Sequence, residues 1–121
     1  MNSLIIVAHG SKKKSSNDEV VQIVNQIKKE NTLYKNIEVS FLEFESPNIE
    51  QSVQKCIELK SQKIYIYPYF LNSGKHVTFD IPNMVKELKE KHQTTSFVLL
   101  PHFGQSKNVT DIILSDITLN Q

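Results

Sequence analysis

Two histidines and a glutamate stand where short apolar runs of this sequence end. His9 closes the run in "LIIVAHGS", Glu43 follows that in "VSFLEFESP", and His76 lies in "FLNSGKHVTFDIP", just beyond "KIYIYPY". Two neutral imidazoles and a carboxylate suit a borderline divalent transition metal. The same groups make a proton-transfer set, because His and Glu can be tuned to accept protons near neutral pH. Both histidines lie beside a glycine, Gly10 and Gly74, and Gly74 is expected to allow a close turn. His102 in "LLPHFG" reads as a hydrogen-bonded loop residue, and His92 in the charged run "KELKEKHQ" as a solvated one.

The elements that must position these residues follow from periodicity. Residues 4–8 form a continuous apolar run, Ile37, Val39 and Phe41 alternate with polar neighbours, residues 64–69 are β-branched and aromatic, and residues 97–100 are apolar again. Between these four strands, Val20, Val24 and Ile27 recur at helical spacing, as do Ile49, Val53, Cys56 and Ile57, then Ile81, Val85 and Leu88, and finally Val109, Ile112 and Ile113. Ser46 before Pro47 predicts the cap of the second helix, and Asp80 that of the third. Alternating strands and helices imply an α/β fold: one three-layer, flavodoxin-like domain over residues 1–121, with a four-stranded parallel sheet and helices on both faces.

Open parallel sheets bind ligands beyond the carboxyl ends of their strands, where the strand order reverses. If the order is the common 2-1-3-4, strands one and three are neighbours there. His9 and His76 then face one crevice, with Glu43 on the adjoining strand.

Charge and cysteine content narrow the chemistry. Fourteen basic residues balance 13 acidic ones, which argues against a nucleic-acid binder. Every basic residue is lysine, so no bidentate guanidinium clamp is available. Lys12, Lys13 and Lys14 beside His9, with Lys75 beside His76, form a positive rim that would draw in an anionic substrate. Tyr65, Tyr67, Tyr69 and Phe70 read mostly as core and sheet packing, with Tyr69 and Phe70, at the end of the third strand, also placed to contact a flat ligand. Cys56 is the only cysteine, which excludes an intrachain disulfide and a thiolate-held iron–sulfur cluster. No stretch approaches the roughly 18 apolar residues of a membrane span, and the expected location is the cytoplasm.

Together, "LIIVAHGS" with Asn17, "FLEFESP" and "YPYFLNSGKHVTFDIP" resemble the small class II tetrapyrrole chelatases, the CbiX-type sirohydrochlorin chelatases, over residues 4 to about 115. The resemblance implies ATP-independent insertion of cobalt or iron, in some relatives nickel, into sirohydrochlorin, in cobalamin or sirohaem biosynthesis. It implies that His9, His76 and Glu43 are the metal-binding and catalytic residues. By their place at the strand ends, Ser11, Lys12, Tyr69, Phe70, Gly74 and Lys75 are the candidate substrate contacts. The divalent metal is a substrate, no tightly bound cofactor is expected, and a homodimer is implied.

Two other enzyme classes fit poorly. A histidine-phosphatase site depends on arginines, and Ala8 stands where one would precede the histidine. The G-x-S-x-G elbow of an α/β-hydrolase is missing around Ser11. The non-enzyme alternative is a divalent-metal or tetrapyrrole binding module of flavodoxin-like fold.

Overall fold

The continuous apolar run at residues 4–8 takes the centre of the sheet, because only a strand covered on both faces can bury every side chain. The computed structural model describes residues 1–120. Strands β1 (Asn2–Ala8), β2 (Asn36–Phe41), β3 (Lys63–Pro68) and β4 (Ser96–Leu99) alternate with helices α1 (Lys14–Glu30), α2 (Ile49–Glu58), α3 (Ile81–Lys91) and α4 (Asn108–Leu119). Every strand pairing is parallel and the order is β2-β1-β3-β4. Strands β1 and β3 are therefore neighbours at the switch point, as expected.

Two apolar layers hold the sheet. On one face Ile5, Val7, Ile64 and Ile66 pack with Ile49, Val53 and Cys56 of α2 and Ile81, Val85 and Leu88 of α3. Each such aliphatic side chain removed from water contributes about 1.5–3 kcal/mol. Burial pushes the Cys56 thiol above its usual pKa, so this cysteine is an inert core residue. On the other face Leu4, Ile6 and Ile37 pack with Val20 and Val24 of α1, beside half-buried Tyr34, Tyr65, Tyr67 and Tyr69. The spacing of Val109, Ile112 and Ile113 does give a helix, but α4 joins neither layer: Ile112, Ile113 and Leu114 are 50%, 55% and 52% exposed.

Four local expectations are corrected. Asn48, not Ser46, caps α2, because its side chain and that of Gln51 close a reciprocal capping box, whereas the cis Ser46–Pro47 peptide lies ahead of the helix. Asp80 makes no capping hydrogen bond, because the chain is already helical there: a π-turn, His76–Asp80, runs straight into α3. Pro82 accounts for the widened turn, since it lacks an N–H and its ring would crowd the carbonyl four residues back. Gly74 does open a turn, its carbonyl accepting from the Val77 and Thr78 N–H groups, but that turn does not need glycine, since a Cβ there would meet nothing within 4 Å. His92 is half-buried instead of solvated, its ring 6.3 Å from Phe97.

Candidate active site

Strand register builds the site. His9 directly follows β1 and Glu43 follows β2 by two residues, so the pairing of Ala8 with Phe41 sets the two exit loops side by side. The Glu43 N–H donates to the His9 carbonyl at 2.9 Å. Gly10 lies between them at φ +91°, and a Cβ there would fall 1.9 Å from the Glu43 carbonyl oxygen. Only glycine satisfies both the left-handed backbone and that contact. Asn17, 4% exposed on α1, fixes the same loop in both directions: its Oδ1 accepts from the Ser11 N–H at 2.9 Å and its Nδ2 donates to the Ser11 carbonyl at 2.8 Å.

The His9 ring is oriented by its neighbour. Nδ1 lies 2.9 Å from the Gly10 carbonyl, an oxygen that can only accept, so Nδ1 carries the proton. The lone pair of Nε2 then faces Glu43 Oε2 at 3.2 Å. Two acceptors at that distance repel unless a proton or a metal cation is shared between them. The pair is thus a cation-attracting arrangement.

His76 reaches the same point from the other side. The pairing of Val7 with Pro68 ends β1 and β3 together, and the π-turn carries His76 back over the sheet end. The two imidazole centroids are 4.9 Å apart. Asp80, one turn along, has Oδ2 2.8 Å from His76 Nδ1, close enough for an ion pair but off the line of the ring N–H. Each imidazole therefore has its own carboxylate. Among the described residues no three or more His, Cys, Asp or Glu side chains are gathered as a ready-made metal cage. A cavity of about 330 Å³ lies beside Glu43, His76 and Asp80 and extends to Asn83 and Glu87.

The remaining predicted residues divide. Phe70 sits with its ring 6.2 Å from His76, whereas Tyr69 turns to Phe103 at 5.4 Å in the layer on the α1 face. Ser11 Oγ accepts from the Lys13 N–H, and Lys75 is exposed where the π-turn begins. The Gly74 carbonyl accepts from the Val77 and Thr78 N–H groups, so its visible role is to start that turn. Lys14 pairs with Asp18 at 3.2 Å, which takes its ammonium away from the rim. His102 lines a separate groove with Tyr67, Leu100 and Pro101.

Sequence reasoning missed Phe44. It has φ +67°, and the Glu45 N–H donates to the Glu43 carbonyl across it at 2.9 Å, a γ-turn of the strained kind. Its ring is 6.3 Å from that of His9, and Lys12 Nζ lies 5.4 Å from its centroid. The available signal was a large aromatic residue directly after Glu43, where the alternation of β2 has already ended.

Known proteins resemble the chain throughout. It is 34% identical over 93 residues to a sirohydrochlorin cobaltochelatase of Methanocaldococcus jannaschii, covering 77% of this chain and 64% of that protein. It is 32% identical over 117 residues to a sirohydrochlorin ferrochelatase of Priestia megaterium, covering 97% of this chain and 44% of that one. The solved sirohydrochlorin chelatase SirB of Bacillus subtilis subspecies spizizenii, in complex with cobalt, superposes with a TM-score of 0.87 at 21% identity, covering 97% of this chain and 50% of that chain. This chain thus spans between 44% and 64% of the length of these relatives. The CbiX family model matches residues 3–119, and the chain belongs to the CbiX family.

Proposed function

We propose that this chain inserts a divalent metal, cobalt or iron, into sirohydrochlorin without ATP, as one chelatase domain acting in the cytoplasm. One observation carries the reading: two imidazoles 4.9 Å apart, each with a carboxylate beside it, at the exits of adjacent parallel strands. No helix among the described residues is long and apolar enough to cross a membrane.

The chemistry divides among the chain's own groups. With Nδ1 of His9 held by the Gly10 carbonyl, Nε2 is the free donor toward an incoming metal. His76 is the second donor, and Glu43 is either a third or a proton acceptor. Two imidazoles and one carboxylate leave coordination positions open, which lets the metal be passed on instead of trapped. Insertion releases two pyrrole protons, and Glu43 and Asp80 are the carboxylates nearest the imidazoles. Lys12 and Lys75 draw in the eight substrate carboxylates. Anaerobic incubation with sirohydrochlorin and Co²⁺, Fe²⁺ or Ni²⁺ should shift the visible spectrum over many equivalents per protein, and the initial rates rank the metals. A shift that stops at one equivalent would favour the binding-module reading.

The partner we infer is a second copy of this chain, docked through α4. That helix exposes Ile112, Ile113 and Leu114, and the same molecule has an apolar groove of about 420 Å³ between Tyr67 and Leu100. SirB, whose chain is about twice as long, has room for a second such unit in one chain. Exposed isoleucine and leucine on one helix are covered when two copies exchange α4 over that groove. Sedimentation equilibrium should give a dimer for the wild type and a monomer for Ile113→Asp with Leu114→Asp. A wild-type monomer at all concentrations would refute the pairing.

A further inference from the structure

We propose that Phe44 is the surface on which the tetrapyrrole stacks, with Lys12 holding the ring ready until a substrate carboxylate takes over its ammonium. The inference rests on the chelatase reading and adds a substrate-binding residue to it.

The starting point is a conformation that phenylalanine should avoid. Phe44 has φ +67° at the centre of a γ-turn closed by the 2.9 Å bond from Glu45 to Glu43. A bulky side chain in the left-handed region is strained, and glycine would take the same turn without strain. Packing does not account for phenylalanine there, because Phe44 is 58% exposed. The folded chain alone gains little from this ring, whereas a ligand that covers it would gain a large apolar face.

The surroundings indicate what kind of ligand. The Phe44 ring stands edge-on to the His9 imidazole at 6.3 Å, so a molecule lying on it brings its centre within reach of the metal-binding pair. Lys12 Nζ hovers 5.4 Å from the ring centroid. That cation–π contact is weak on an exposed surface, and a carboxylate readily replaces it. A flat aromatic ring with an ammonium at its margin matches a flat macrocycle with carboxylates at its edge. The γ-turn also explains the ring's orientation. Reversing the chain within three residues sends the Glu43 carboxylate toward His9 while lifting the next side chain out of the strand exit.

The test titrates metal-free sirohydrochlorin against wild type, Phe44→Leu, Phe44→Gly and Phe44→Tyr by absorbance, and records thermal midpoints of each. Loss of the aromatic face in the Leu and Gly variants should weaken binding by about tenfold, with KM rising in step and kcat within about twofold of wild type. Phe44→Tyr should bind like wild type. Phe44→Gly should melt at or above the wild-type temperature, because it relieves the strained φ. Lys12→Met should weaken binding and flatten its dependence on salt. Equal binding by wild type and Phe44→Leu would overturn the stacking role alone. A midpoint for Phe44→Gly several degrees below wild type would also overturn it, because the ring would then be structural. Wild-type protein that bound no sirohydrochlorin would take down the chelatase reading and the inference with it.

Discussion

Metal insertion into sirohydrochlorin should fall at least about a hundredfold when either His9 or His76 is replaced by alanine, with the fold left intact. In the proposed reaction each imidazole would supply one of two nitrogen donors, and a single donor beside Glu43 would hold a divalent ion far less tightly. Removing His9 also removes the ring that the Gly10 carbonyl orients, and leaves Glu43 Oε2 without its partner at 3.2 Å. Removing His76 frees Asp80 Oδ2 in the same way. The side chains of His9 and His76 are 43% and 38% exposed, so neither substitution opens a core cavity, and the thermal midpoints should stay near that of wild type. Initial rates with Co²⁺ under anaerobic conditions, alongside circular dichroism, measure both halves of this expectation. Full insertion by His76→Ala would sink the assignment.

Gly10→Ala should cost stability and activity together, by about 2–4 kcal/mol for the left-handed backbone and the overlap combined. The new Cβ would lie 1.9 Å from the Glu43 carbonyl oxygen and 3.0 Å from its carbon, both rigid backbone atoms. The turn that carries Glu43 must therefore move away from His9. For a chain of this size the thermal midpoint should drop by about 10 °C. Gly74→Ala is the internal control. Nothing lies within 4 Å of its added Cβ, and alanine restricts the unfolded chain, so its midpoint should be unchanged or slightly higher. Equal behaviour of the two variants in a thermal melt would show that the Gly10 contact does not hold the loop.

Much of this molecule is legible in its sequence, for reasons that particular residues make clear. The run at residues 4–8 reads as a strand, and the alternation of strand and helix implies a parallel sheet whose carboxyl edge gathers His9, Glu43 and His76. What was illegible depended on geometry that residue types leave open. Ser46 and Asn48 are both good caps, and the reciprocal bond with Gln51 decided for Asn48. Asp80 carries a carboxylate that could serve a helix start or an imidazole, and only the π-turn turned it to His76. Phe44 was hidden because strained backbone has no signature when the residue is not glycine. The exposed stripe of α4 was hidden too, since periodicity marks an apolar face without saying what covers it.

The turn ahead of Pro82 is, in effect, a phase shift. An α-helix advances each residue by about 100°, so in an unbroken helix the residue four before Ile81, Val77, would continue the stripe that Ile81, Val85 and Leu88 press onto the sheet. Here the Ile81 N–H reaches back five residues to the His76 carbonyl, and the wider turn rotates His76 toward that stripe. A helix can thus keep its oily face in register with the core while presenting an imidazole over the open end of the sheet. Deleting one residue from the turn would restore regular winding and rotate the imidazole out of alignment with its partner, without changing a single atom of either ring.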